Sequence, residues 1–352
     1  MSAAHVQPGW QSLDLTAPPV VRTMRQRSLL IGLIFSAISV ALAVTRPDEF
    51  FSAYLLSFMA WLGVTLGAMA ILMIRHLTGG GWGVVIRRVM GAAMRCIGLM
   101  TVFFIPIVVF GLPHLYIWAR PLNSVADLRL QAHLKDITTT YLTVHGFIVR
   151  AAIYFAIWNL LSYLLTKWSA EGDHPGARDN TQRFKAVSGP GLILYAFTIS
   201  FAAIDWIMSI DPSWISTIYG LLILIGEVLS AMCFAVVIER ILVRYKPMSE
   251  LLRPDFVHDH GKWMMAFTMV WAYFSFSQWI FIWAGNLPEE ITWYMRRLSG
   301  GWGFIGLTLV IFQFAVPFVF LLSRPFKRDI RRLVWLAGAD RGSGGAGPGS
   351  GR

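Results

Sequence analysis

The chain has 352 residues, 56% of them hydrophobic and only 14% charged, with mean hydropathy +0.59. A soluble domain carries about 25% charged residues, so composition excludes one and points to a polytopic membrane protein. The formal charge of +11 does not imply nucleic acid, because the basic residues gather in loops and tails, where topology control and contact with membrane lipid account for them.

Residues 1–27 are mostly polar with several prolines and read as a disordered cytoplasmic N-terminus. A membrane span needs about 20 apolar residues. Eight such runs follow, at 28–44, 50–74, 89–111, 141–165, 188–210, 214–238, 263–284 and 302–322. They predict an all-α, polytopic helical bundle over residues 28–336. The first run has a second reading. Arg22, Arg25 and Arg27 precede it and it ends Ala41-Leu42-Ala43, the pattern of a signal peptide with its cleavage site. Loop 166–187 is polar, a cytoplasmic linker between two helical groups. Only Asp211-Pro212-Ser213 separates the fifth and sixth runs, which predicts a tight hairpin. Residues 337–352 form a flexible Gly/Ser-rich tail.

Lys and Arg set the orientation. One side of the membrane takes 23 of the 30 and the other takes 6, with Arg150 inside a span. Both termini are therefore expected in the cytoplasm. Cys96 and Cys233 lie singly within apolar runs, which argues against a disulfide framework or an iron–sulfur site.

Four ionisable residues fall inside the predicted spans: His145, Arg150, Asp205 and Glu227. A charged group in hydrocarbon costs about 2.5–3.5 kcal/mol on insertion scales, so each should face the protein interior or a water path. His145 reads as the only His well inside a span, which disfavours a haem held by two His. It is then a relay, a quinone contact or a His bonded to a neighbouring helix. Arg150 is expected to pair with a carboxylate in the bundle or to snorkel outward. Asp205 and Glu227 lie on consecutive helices at depths differing by about 10–12 Å, Asp205 the shallower. Carboxylates stepped in this way suit a proton path. Pairing with a base or an amide is the alternative. Tyr219, Glu227 and Ser230 share a helix face by spacing. Thr268, Trp271, Ser275 and Gln278 form a stripe at 3-4-3 spacing that lines a water path or glues helices together. The proton-path candidates are thus His145, Asp205, Tyr219, Glu227, Ser275 and Gln278. No phosphate loop, nucleophile elbow or metal-spaced cluster is present, so any electrons must be held by another subunit.

Three stretches carry a family likeness. They are His76-Leu77-Thr78-Gly79-Gly80 with Trp82 and Arg87-Arg88; the run from Ile210 through Asp211-Pro212-Ser213-Trp214 to Tyr219-Gly220; and His258-Asp259-His260-Gly261-Lys262, continuing through Trp271-Ala272-Tyr273 and Phe276-Ser277-Gln278 to Asn286-Leu287-Pro288-Glu289-Glu290. The chain resembles the NrfD/polysulfide-reductase class of membrane subunits over residues 22–332. Within that class it is most similar to the second NrfD-like subunit of alternative complex III, a quinol:cytochrome c oxidoreductase. The resemblance implies a bundle in the bacterial inner membrane with no bound cofactor, and quinone or quinol as the only small molecule it could contact. It implies as partners a sister NrfD-like membrane subunit where quinol is oxidised, an iron–sulfur subunit, a multihaem cytochrome c and a cytochrome oxidase. For this subunit it implies proton conduction, quinone contact or both. Such subunits usually have ten spans, and here the sequence supplies eight. A quinone-binding anchor of a polysulfide-reductase-like complex and a non-redox transporter are the other readings.

Overall fold

A computed structural model describes residues 19–124, 128–172, 179–246 and 248–338. The disorder expected at 1–18 and the tail at 339–352 lie outside the described residues. Eight helices are long and apolar enough to cross a membrane, and no strand occurs among the described residues. The protein is an all-α, multi-pass membrane bundle. The spanning helices are α1 (Pro19–Thr45), α2 (Pro47–Thr78), α3 (Trp82–Leu115), then α5 (Val144–Glu171), α6 (Thr181–Trp206), α7 (Tyr219–Leu242), α8 (Pro254–Gly285) and α10 (Trp302–Leu322). The shorter helices include α4 (Leu128–Thr140), α9 (Pro288–Leu298) and α11 (Ile330–Leu336).

Two boundaries differ from expectation. Helix α1 begins at Pro19, so residues 19–27 are helical and not disordered. Proline fits the first turn of a helix, where its missing N–H costs nothing. The three-residue hairpin between the fifth and sixth spans is also corrected. Helix α6 ends at Trp206, a 3₁₀ turn covers Met208–Ile210, and α7 starts only at Tyr219. Local bonds hold the intervening segment out of the helix: Ser213 Oγ donates to Asp211 Oδ1 at 2.6 Å, and Tyr219 N donates to Ser216 Oγ at 3.2 Å. Buried Trp214 pulls it inward onto Trp293, the rings stacked at 4.2 Å.

The centre of the bundle is the pair α2–α7, with α6, α8 and α3 packed round it and α5 behind α6. In α2 the most apolar window is 67% buried, whereas in α1 it is 0% and in α10 6%. Helices α1 and α10 therefore present apolar surface outward all along, as lipid-facing helices do. Inside α3, Pro106 is followed by a π-turn at Ile107–Gly111. Proline removes a rung of the hydrogen-bond ladder, and the turn absorbs the extra residue.

Two glycines bring α2 and α7 together. Gly63-Val64-Thr65-Leu66-Gly67 is a small-xxx-small face. A Cβ at Gly67 would sit 2.7 Å from the Glu227 carbonyl carbon and 2.9 Å from Ala231 Cβ. Gly67→Ala should therefore wedge the two central helices apart, at a cost of about 1–3 kcal/mol. A thermal melt of the purified chain in detergent checks it, with Gly226→Ala as control, since a Cβ there meets nothing within 4 Å.

The basic residues mark one end of the bundle, where α2, α5 and α7 finish and α3, α6 and α8 begin. By the charge rule that end is expected in the cytoplasm. A reporter fused after Arg341 should report cytoplasm, and one inserted in 123–133 should report the outer compartment. The reverse result at either position would reject this orientation.

Candidate functional site

Three buried carboxyl groups occupy three levels of the bundle. Asp205 has no solvent exposure and lies at the end of α6 away from the basic end. Arg150 of α5 grips it with two donors, Nε to Oδ2 at 2.8 Å and a terminal nitrogen to Oδ1 at 2.9 Å. The Tyr154 hydroxyl donates to Oδ2 at 2.9 Å. The pairing expected of Arg150 is thus found, and its partner is Asp205. Arg150 also donates to the Tyr141 carbonyl at 3.0 Å and lies 4.0 Å over the Tyr141 ring. A bidentate, fully bonded ion pair of this kind holds its charges in place. Nearby, the buried Tyr116 hydroxyl donates to the Trp206 carbonyl at 2.9 Å. Burial, with the Asp205 charge adding to it, holds that phenol well above its ordinary range.

Glu227 sits deeper, between α7, α2 and α6. The Tyr195 hydroxyl of α6 donates to its Oε2 at 2.7 Å, and its Oε1 is buried with no partner. No ion pair to Glu227 forms among the described residues. From Tyr195, the Glu227 partner, to Asp205 the α6 axis rises about 15 Å. On α6 between these levels, Thr198 accepts from the Trp158 indole at 2.8 Å.

The third level is near the basic end and escaped the sequence reading. Glu239 of α7 and His260 of α8 are both without solvent exposure. His260 Nδ1 lies 3.1 Å from Glu239 Oε2, and Nε2 lies 2.8 Å from the Trp82 carbonyl. A carbonyl only accepts, so Nε2 carries hydrogen. One proton then lies between Nδ1 and Glu239, on one atom or the other. Glu239 Oε1 has no partner.

The remaining candidates divide. His145 is corrected. It is the second residue of α5, exposed and at the rim, because the helix starts only at Val144. The deep histidine is His260, which the sequence reading left in a loop; Pro254 starts α8 early and carries it into the helix. The shared face of Glu227 and Ser230 is corrected too, since Ser230 is exposed while Glu227 is buried. The α8 stripe does face inward. Thr268 and Gln278 are buried, and the Ser275 hydroxyl is buried with no partner. Gln278 Oε1 accepts a very short bond from Ser216, whose oxygen also receives the Tyr219 N–H. Gln278 and Tyr219 thus meet through Ser216, next to a rim where Arg296 pairs with Asp211 at 3.1 Å and Arg297 lies over Trp293. Burial pushes the Tyr294 phenol at that rim up to about 12.

Tyr195, Tyr154 and Glu239 were not singled out from the sequence, and His260 only as part of a motif stretch. Glu239 stands beside Arg240 at a span's end and reads as an interfacial charge. The Gly63/Gly67 spacing was a usable signal for the helix approach that buries Glu227.

A crevice of about 430 Å³ opens between α2 and α3, lined among others by Tyr54, Ser57, Thr65 and Trp61. Its hydroxyl hydrogens are committed: Tyr54 donates to the Phe103 carbonyl at 2.8 Å, Ser57 to Ala53 at 2.9 Å and Thr65 to Leu62 at 2.8 Å. It suits a hydrocarbon chain better than a quinone head, which needs donors.

The sequence matches no protein-family model and no curated protein.

Proposed function

We propose that this chain is a cofactor-free membrane subunit of a respiratory quinol:cytochrome c oxidoreductase of the alternative complex III type, in the bacterial inner membrane, and that it conducts protons. One observation carries the conduction: buried carboxyl groups stand at three levels of a single membrane bundle, and two of them keep a carboxyl oxygen without a partner. Burying such groups is costly, and an intramembrane carboxyl group is by default functional. The resemblance in the three motif stretches supports the choice of complex.

In this reading Glu239 and His260 exchange protons with the cytoplasmic side. Glu227 with Tyr195 is the middle station. Ser275, Gln278, Ser216 and Tyr219 lead toward the opposite rim, with water filling the gaps. Glu227 can take or give a proton without breaking an ion pair, whereas Asp205 cannot, so Asp205 serves as the anchor of the outer end. Quinol oxidation is assigned to the sister subunit, since the hydroxyl hydrogens of Tyr54, Ser57 and Thr65 in the crevice between α2 and α3 are all committed.

Affinity purification from native membranes tests the complex. The chain should carry with it an iron–sulfur protein, a multihaem cytochrome c and a second membrane subunit, seen as c-type haem absorbance and acid-labile sulfide. A chain that purifies alone with full occupancy of the membrane would favour a transporter instead. Saturable binding of a quinone by the isolated chain would favour the polysulfide-reductase-like anchor.

A further inference from the structure

A cavity of about 520 Å³ lies at the basic end of the bundle, and none of the three buried carboxyl groups lines it. Four helix ends build it: the last turn of α2 with the Gly79-Gly80 turn, the start of α3, the last turn of α5 and the first turn of α6. Among the described residues, Arg75, Arg87, Lys185 and His76 line it, and Asp179 is the acidic group on its wall. Asp179 is already engaged, since the Thr181 N–H and hydroxyl donate to its Oδ1 at 2.9 and 2.6 Å. These bonds hold its carboxyl below the usual range, so it remains an anion and leaves a surplus of positive charge. Arg87 has a partner of its own. Arg75 does not satisfy its Nε, which is buried and unbonded. The Arg75 stem and Nε pack against Gly83, and the residue still lines the cavity, so its charge faces a space with no acceptor committed to it.

The walls are shaped for that anion. Gly79 and Gly80 adopt φ of +70° and +88°, a backbone that side chains rarely follow, and so the turn lines the cavity with main chain alone. The His76 ring stacks on Phe184 at 4.1 Å, which fixes both rings beside Arg75. The N-terminus of α6 opens onto the same space and adds its dipole.

Depth decides what carries the anion. Trp82 and Trp168 stand at these helix ends, at the level where aromatic side chains meet lipid headgroups. A second cavity of about 190 Å³ shares His76, Arg87, Ser169 and Phe184 with the first. It continues toward the membrane interior along Leu72, Met94 and Leu165, all core residues. Arg88 and Arg95 line this second cavity as well, so a free phosphate would leave its apolar wall of Leu72, Met94 and Leu165 unused, whereas a phosphate ester with an attached chain covers that wall too. We propose that the paired cavities bind the phosphate group of an anionic phospholipid, with Arg75 and Lys185 on the phosphate and the start of an acyl chain against Leu72, Met94 and Leu165.

The test uses the full chain, purified with whatever accompanies it, delipidated, and titrated under native mass spectrometry with phosphatidylglycerol, phosphatidylcholine or inorganic phosphate. Phosphatidylglycerol should be retained at one site that phosphatidylcholine does not fill. Arg75→Gln and Lys185→Gln should each weaken that retention about tenfold, the loss of one charge-assisted bond. Lys185 is exposed, so its variant keeps the fold even if Arg75→Gln does not. Unchanged retention in Lys185→Gln would overturn the site, as would equal retention of phosphatidylcholine. Displacement of the lipid by inorganic phosphate at equal concentration would overturn the lipid assignment and leave a free-phosphate site.

Discussion

Arg150→Met alone should destabilise the bundle by about 3 kcal/mol, and adding Asp205→Leu should recover most of the loss. The reason lies in what each change leaves behind. Asp205 is fully buried and accepts two donors from Arg150 and one from Tyr154. Removing Arg150 strands a carboxylate in a site with a single hydroxyl donor. Breaking a buried pair from one side costs about 3–5 kcal/mol, because the remaining charge is uncompensated. Arg150 keeps 21% of its side chain exposed, which puts the expected cost at the low end. Replacing both partners by apolar groups removes the stranded charge, and such double replacements are often neutral. Thermal melts of the four proteins of this cycle measure the coupling. Equal destabilisation in the single and double variants would mean that packing around Tyr141 and Tyr154, and not the ion pair, holds this end of α5 to α6.

Glu227→Gln should leave the fold intact and reduce proton uptake by at least tenfold. Glutamine keeps the carbonyl oxygen that accepts from Tyr195 and fills the same space beside Gly63 and Gly67. It loses only the ability to bind and release a proton. The purified complex in proteoliposomes, driven by quinol, reads both electron transfer and membrane potential. Electron transfer should persist, because the electrons run through other subunits. Tyr195→Phe, which removes the one donor to Glu227, should slow uptake less than Glu227→Gln does. Wild-type potential in Glu227→Gln, with normal assembly, would make this carboxyl group structural and sink the conduction reading. Loss of quinol oxidation itself, with normal assembly, would move the quinone site into this chain.

The sequence by itself determined the spans. All eight membrane helices stand where apolar runs of sufficient length predicted them, because a backbone in hydrocarbon must satisfy its own hydrogen bonds and a long apolar run does so as a helix. It also determined that Asp205 and Glu227 would be buried, since a short apolar window leaves a carboxyl group nowhere else to go. The partners were decided by the tertiary structure alone. Spacing along one helix cannot show that Arg150 reaches Asp205 across α5 and α6, or that Tyr195 reaches Glu227. Those contacts depend on how the helices rotate and cross. Two small residues, Gly63 and Gly67, set one such crossing. The same limit explains His145 and His260. Burial was assigned to the first by its place in an apolar run, while the second fell outside the run predicted at 263–284. In the bundle α5 starts just before His145 and leaves it at the rim, while α8 starts at Pro254 and turns His260 inward against Glu239. One helix face can be apolar neighbours' company and the opposite face a buried carboxylate's, and only packing tells which face a residue is on.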